Sequence, residues 1–228
     1  MVEILCIIPA RSGSKGIENK NIMDFNGKPL LAWSIEQAQK CNYNMKIIVS
    51  TDSQEYADIA VSYGAEVPFL RPSEISDDLS TDFEFINHCV NWLKLNENYT
   101  CDIILQLRPT SPTRKIEDLN KALDLFIKNK DNFDSLRSVI PFEKSPFKMY
   151  SLNDNKLTPL FNEINKIQEP YNHPRQILPT CYLHNGYIDI LKTSILNENT
   201  ISGKNILPYI MEESNNLDID NVSHLIKL

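Results

Sequence analysis

The sequence predicts an α/β fold: a three-layer α/β/α arrangement with a mostly parallel, Rossmann-like sheet and a small irregular insertion. Three observations carry this. Short apolar runs rich in β-branched residues recur over the amino-terminal part of the 228-residue chain. Segments with helical apolar spacing separate them, and such alternation builds a parallel sheet covered on both faces. From Ile140 the alternation stops and prolines recur.

Ile4 to Pro9 (ILCIIP) is apolar throughout, as a central parallel strand must be. Pro29 opens the first helix, with Leu30, Trp33, Ile35, Ala38 and Cys41 roughly at helical spacing. MKIIVST is a second buried strand. Asp52 is placed to cap the next helix, with Glu55 three residues on as in a capping box. Tyr56, Ile59, Ala60 and Tyr63 follow at i, i+3, i+4 and i+7, and Gly64 ends that helix. AEVPFL reads as a third strand. DFEFINHCVNWLKL is an amphipathic helix with Phe83, Ile86, Val90 and Leu93 on one face. CDIILQL is a fourth strand. KIEDLNKALDLFIK is a helix with Leu119, Ala122, Leu123 and Phe126 inward, and DSLRSV is a fifth strand. Right-handed crossovers follow from backbone chirality.

Residues 140–181 read as an irregular insertion or arm, punctuated by Pro141, Pro146, Pro159, Pro170, Pro174 and Pro179. Within it FKMYSL and KLTPLF form a hairpin about the turn NDN. Such an arm packs against a second subunit or covers a site, and the two are compatible. YLHNGYIDIL and ILPYIM return to the main sheet, and NVSHLIKL is a short terminal helix. Residues 1–228 are read as one domain.

Formal net charge is −7, from 23 basic and 30 acidic residues. A general nucleic-acid binder needs a basic surplus to displace counterions, so no nucleic-acid partner is expected. The opening MVEILCIIPA lacks a basic leader and a small-residue cleavage site. No stretch reaches the apolar length that spans a bilayer. A cytoplasmic protein without membrane contact is expected. The five cysteines are scattered and include no CxxC pair, as reduced thiols would be.

Four patches carry candidate chemistry. The first is PARSGSKGIENKN, which places Arg11, Lys15 and Lys20 in a Gly/Ser-rich loop directly after the first strand. Ligands of parallel sheets bind at the carboxyl ends of strands. Backbone N–H groups of such a loop ring phosphate oxygens and its cations neutralise them. The pattern is neither a Walker loop nor Gly-x-Gly-x-x-Gly. The second is LRPSEISDDLS, whose arginine and loop groups offer donors and acceptors to a base; an ordinary loop before a Thr81 helix cap also fits. The third is LQLRPTSPTR, stiffened by two prolines and carrying the hydroxyls of Thr110 and Ser111. The fourth is LDIDN. Asp218 and Asp220 point the same way at strand spacing, and paired hard oxygens suit Mg²⁺. Acidic residues also cap a following helix.

IIPARSGSKGIENKNI, GKPLLAWSIEQA, IVSTDSQEYADIAVSYGAEVPFLRPSEIS, LRPTSPTR and LDIDN occur in this order along essentially the whole chain. Together they resemble the acylneuraminate cytidylyltransferases, the CMP-sialic acid synthetase family. The wider group includes the CMP synthetases for 3-deoxy-manno-octulosonate, legionaminate and pseudaminate. The resemblance implies a nucleotidyltransferase-type sheet and a cytoplasmic homodimer. It implies an enzyme that joins CTP to a 2-keto sugar acid, giving a CMP-sugar and pyrophosphate with Mg²⁺, for surface glycans. By position it gives Arg11, Ser14, Lys15, Gly16, Lys20 and Asn21 to the CTP phosphates or base. Arg71, with Asp78 and Ser80, is given to cytosine. Arg108, Thr110, Ser111, Lys148, Arg175 and Asn185 are given to the acceptor and its surroundings, and Asp218 and Asp220 to the metal. Arg11, Lys15, Asp218 and Asp220 would then carry the catalysis. Relatives commonly show Gln where this chain has Arg108. A fixed cation favours carboxylate or phosphate over neutral groups, which directs expectation to a more anionic or phosphorylated acceptor as an alternative. A non-catalytic nucleotide-sugar-binding protein is the other alternative.

Overall fold

In the computed structural model, residues 2–212 are described. Six strands form the main sheet: β1 (Ile4–Pro9), β2 (Lys46–Ser50), β3 (Ile103–Gln106), β4 (Ser135–Phe142), β5 (Cys181–Lys192) and β6 (Ile206–Ile210), in the spatial order β6-β4-β5-β3-β1-β2. β1 pairs in parallel with β2 and β3, and β6 pairs in parallel with β4. β5 lies antiparallel between β3 and β4. The sheet is therefore mostly parallel, with one reversed strand near its middle. The chain leaves β1 toward β2 on one side and returns to β3 on the other. That reversal of strand order opens a crevice beyond the carboxyl ends of β1 and β3.

The helices are α1 (Leu30–Gln39), α2 (Gln54–Ser62), α3 (Asp82–Glu97) and α4 (Ile116–Asn129). Strand alternation sorts them. Ile4, Cys6 and Ile8 of β1 face a core shared with Leu31 and Ile35 of α1, Tyr56 and Ala60 of α2, and Leu119, Leu123 and Phe126 of α4. Leu5 and Ile7 face the other way, onto Phe85, Ile86, Cys89 and Leu93 of α3. Side chains two apart on a strand share a face, so one strand supplies both cores.

Three local expectations are corrected and one element is added. AEVPFL does not form a strand: only Glu66 bridges, to Ile48, and Pro68 has no N–H to extend a ladder. The cap of α2 is Ser53, whose side chain accepts from the Tyr56 N–H, while Asp52 bonds elsewhere. The buried face of α3 is set by Phe85, Ile86, Cys89 and Leu93, leaving Phe83 and Val90 at its flanks. A short hairpin, Asp24–Phe25 with Lys28–Pro29, precedes α1. Asn26 and Gly27 turn it at φ 52° and 86°, the Asn-Gly signal of a tight hairpin.

The expected hairpin of the arm is present. Tyr150–Asn153 pairs with Lys156–Pro159, and Asp154 and Asn155 make the turn at φ 47° and 62°. Leu152, Leu157, Leu160, Phe161 and Ile177 of this region are exposed. All five cysteines are free, and burial pushes the Cys6 and Cys89 thiols well up. Among the described residues no helix is long and apolar enough to cross a membrane. The terminal helix expected over NVSHLIKL lies outside the described residues.

Candidate active site

A cleft of about 640 Å³ opens at the carboxyl ends of β1 and β3. It is lined by Arg11, Ser14, Lys15, Gly16, Lys20 and Asn21 of the first loop, and by Arg71 and Ser80 of the second. Arg108 and Thr110 line it from the loop after β3, and Asn185 from β5. Eleven of the sequence-predicted residues are thus brought together from four separate stretches of chain.

The first loop is held from below rather than left to wander. Asp52, just past β2, accepts from the Ser12 N–H at 2.8 Å and the Ser12 hydroxyl at 2.9 Å. Asn21 donates to the Arg11 carbonyl at 3.0 Å, and the Tyr56 hydroxyl donates to Asn19 at 3.2 Å. These bonds leave the Arg11 and Lys15 side chains to project, and both pair with Asp78. Lys15, then Arg11, holds the Asp78 carboxyl below the usual carboxylate range.

Arg71 is buried. Its Nε donates to the Ser50 hydroxyl at 3.0 Å and its Nη2 to the Ser50 carbonyl at 2.5 Å. Its guanidinium carbon lies 4.9 Å from the centre of the Phe85 ring. Burial brings its pKa down to about 10, which leaves it cationic at neutral pH. With two nitrogens committed to β2, Nη1 remains for the cleft.

The loop after β3 is organised by Arg114, which is 3% exposed. It donates to the carbonyls of Tyr187 at 2.5 Å and Arg108 at 2.9 Å, and to the Gln37 side-chain oxygen at 2.6 Å. Gln37 in turn donates to the Pro112 carbonyl at 2.8 Å. One buried cation therefore ties the loop to α1 and β5. Arg108 does not stand as a free cation. It bonds Asp82 at 2.5 Å and also pairs with Asp189, whose carboxylate takes Arg137 at 3.0 Å and His184 at 2.7 Å. The ground for expecting a more anionic acceptor is removed, because two carboxylates already neutralise that charge.

Several expected positions fall elsewhere. Asp78 does not line the cleft and acts on it through Arg11 and Lys15. Ser111 is buried beneath the loop with its hydroxyl unpartnered. Asn185 lines the cleft, but its side chain accepts from Ser138 at 2.6 Å and from the Tyr187 N–H at 3.2 Å. Lys148 donates to the Tyr171 carbonyl at 3.3 Å. Arg175 donates to the Glu143 carbonyl at 2.8 Å beside a second cavity of about 290 Å³. Neither Lys148 nor Arg175 lines the main cleft. Asp218 and Asp220 lie outside the described residues.

Asp52, Asp82, His184, Asp189, Arg114 and Arg137 were given no site role from sequence, yet they build the site. A signal existed for two of them. Arg137 and Asp189 are lone charges inside apolar strands, and a charge in such a place demands a partner.

A family model described as Cytidylyltransferase matches residues 5–194. The post-translational flagellin modification protein B of Campylobacter coli is 35% identical over 225 residues, 97% of this chain and 91% of that protein. The N-acylneuraminate cytidylyltransferase of Escherichia coli is 36% identical over 220 residues, and those cover 96% of this chain but 49% of that longer protein. In structure, a CMP:2-keto-3-deoxy-manno-octonic acid synthetase complexed with CTP superposes with a TM-score of 0.68 at 15% identity, covering 99% of this chain and 96% of that one. That likeness shows a shared fold. The family match spans all three cleft loops, all four helices and the first five strands of the sheet, and on it the chain belongs to the cytidylyltransferase family, a family of nucleotidyltransferase enzymes.

Proposed function

We propose that this chain transfers the cytidylyl group of CTP to a hydroxyl of a 2-keto sugar acid, releasing pyrophosphate and a CMP-sugar for surface glycan synthesis. One observation carries the reading. A cationic Gly/Ser loop, a buried arginine and a polar acceptor-side network line a single cleft at the switch point of the sheet. The relatives named above as cytidylyltransferase and CMP-sugar synthetase support it.

Arg11 and Lys15 bind the β- and γ-phosphates and stabilise charge that grows on the leaving pyrophosphate. Ser14, Gly16, Lys20 and Asn21 complete that loop around the triphosphate. Arg71 offers Nη1 to the cytosine carbonyl, with Ser80 beside it. Thr110, Asn185 and the Arg108 network bound the acceptor end. The sugar hydroxyl attacks the α-phosphorus in line, and positioning with electrostatics suffices, without a covalent enzyme intermediate.

Magnesium belongs to the same proposal. Among the described residues no group of three or more His, Cys, Asp or Glu is placed to hold a metal. Asp218 and Asp220 are the donors we assign, because paired carboxylates suit an ion that keeps waters and takes phosphate oxygens. When bound, the ion neutralises triphosphate charge. We also assign a homodimer through the 140–181 arm, supported by its exposed Leu152, Leu157, Leu160 and Phe161. A cytoplasmic location fits the need for CTP.

The test is a matrix of CTP, UTP, ATP and GTP against N-acetylneuraminate, legionaminate, pseudaminate and 3-deoxy-manno-octulosonate, scored by pyrophosphate release and product mass. Turnover with CTP and one of these acids is expected. Preference for another triphosphate, or tight CMP-sugar binding without turnover, overturns the reading.

A further inference from the structure

We propose that His184, held by Asp189, accepts the proton of the attacking sugar hydroxyl. The inference rests on the cytidylyl-transfer reading and adds a catalytic residue to it.

The register of β5 against β4 breaks between His184 and Asp189, and Gly186 sits within the break at φ 65°. A break of this kind re-aims side chains. Here it lets two residues five apart on one strand meet, His184 Nε2 to Asp189 Oδ1 at 2.7 Å. The His184 side chain is 44% exposed and lines the same cleft as Arg11 and Lys15, whereas Asp189 is fully buried beneath it.

The partner decides the tautomer. Burial alone would raise the Asp189 pKa, but the bond from His184 and the charges of Arg108 and Arg137 outweigh it and hold the carboxyl well below the usual range. An ionised carboxylate only accepts. Nε2 must therefore donate, and in the neutral ring the lone pair then sits on Nδ1. Among the described residues no protein group bonds that nitrogen. Asp189 contacts the ring directly; Arg137 on β4 and Arg108 after β3 reach it through Asp189, Asp82 at the start of α3 pairs with Arg108, and Arg11, Lys15, Lys20 and Arg71 line the same cleft. Asp82, Asp189, Arg108 and Arg137 are two anions and two cations, so that network is formally neutral and supplies orientation.

The step balances simply. The hydroxyl oxygen forms a bond to the α-phosphorus, and the bond from that phosphorus to the bridging oxygen breaks. Pyrophosphate leaves with the electron pair. The hydroxyl proton passes to His184 Nδ1 and afterwards to solvent. Asp189 is a positioning residue, because it acts on the substrate only through the imidazole.

The experiment compares wild type with His184→Ala and His184→Gln, using CTP and whichever of the four acids turns over fastest. Gln keeps a donor for Asp189 but has no basic ring nitrogen to take a proton. Both variants should lose about 10²- to 10⁴-fold in kcat, the range for a positioned general base. KM for CTP should stay within about twofold, because binding is not the interaction removed. Nitrogen-15 NMR of the wild-type imidazoles should show His184 as the Nε2–H tautomer. A loss below about tenfold, or the Nδ1–H tautomer, overturns the proposal while leaving wild-type CTP turnover, and so the parent reading, intact. No wild-type turnover with CTP and any acid overturns both.

Discussion

Arg11 and Asp78 meet beside the cleft, guanidinium to carboxylate at 2.7 Å, and Lys15 reaches the same carboxylate. Both cations assigned to the triphosphate are therefore engaged by one anion. A triphosphate entering the loop competes with Asp78 for them. Asp78→Asn frees both cations and should tighten CTP binding, by less than about tenfold because the pair is partly exposed and screened. Because the Asp78 pKa is depressed, this competition persists at neutral pH and fades only as pH falls through the lowered value. Titration calorimetry with CTP checks it. Weaker binding in the variant would return Asp78 to direct recognition of the base.

The Arg108–Asp189 pair gives a stability prediction. Asp189 is fully buried, and removing one partner of a buried pair costs about 3–5 kcal/mol. Arg137 and His184 remain in Arg108→Gln, so a loss of about 3 kcal/mol, at the low end of that range, is expected in urea unfolding. The pH dependence has a definite sign. The folded pKa of Asp189 lies below its unfolded value. Its contribution is present above the unfolded value, about 3.9, and is lost as pH falls through the folded one. Asp189→Asn should flatten the acid limb of the stability profile. An unchanged acid limb would mean that the carboxylate is not ionised in the native state.

Gly203 is constrained in two ways. Its φ is 67°, and a Cβ there would stand 2.3 Å from the Asp134 Cβ. Asp134 accepts from the N–H groups of Lys204 and Asn205 at 2.8 and 2.9 Å, and this turn delivers the chain into β6. Gly203→Ala should therefore destabilise by about 2 kcal/mol or more. Thermal unfolding measures it, and a loss under about 0.5 kcal/mol, the usual range for surface changes, would show that the turn relaxes freely.

The first loop and the strands were legible because their signals are local. An apolar run followed by glycine, serine and cations reads as a strand leading into a cationic loop at its carboxyl end without knowledge of the rest of the chain. The buried face of α4 was legible for the same reason, since Leu119, Ala122, Leu123 and Phe126 repeat at helical spacing. The third strand failed because AEVPFL has strand composition, while Pro68 and a single bridge decide otherwise. The Asp82–Arg108–Asp189–Arg137 network was not legible. Its members come from four separate elements, and the central position of the reversed β5, which joins them, is a property of topology. Arg108 looked like a free cation in sequence because its two carboxylates lie 26 and 81 residues away.

The carboxylates assigned to magnesium separate an enzyme from a binder. Asp220→Asn removes one hard anionic oxygen and leaves an amide of nearly the same shape. If Asp218 and Asp220 hold the ion that neutralises the triphosphate, turnover should collapse by about 10²-fold or more, as when an interaction needed in the transition state is lost. CTP held by Arg11, Lys15 and Arg71 should still bind the variant measurably. Chelation of the wild type with EDTA should abolish pyrophosphate release, and added Mg²⁺ should restore it in the wild type only. Turnover in Asp220→Asn at the wild-type rate would remove the pair from the catalytic assignment. Full activity in EDTA would remove the metal itself.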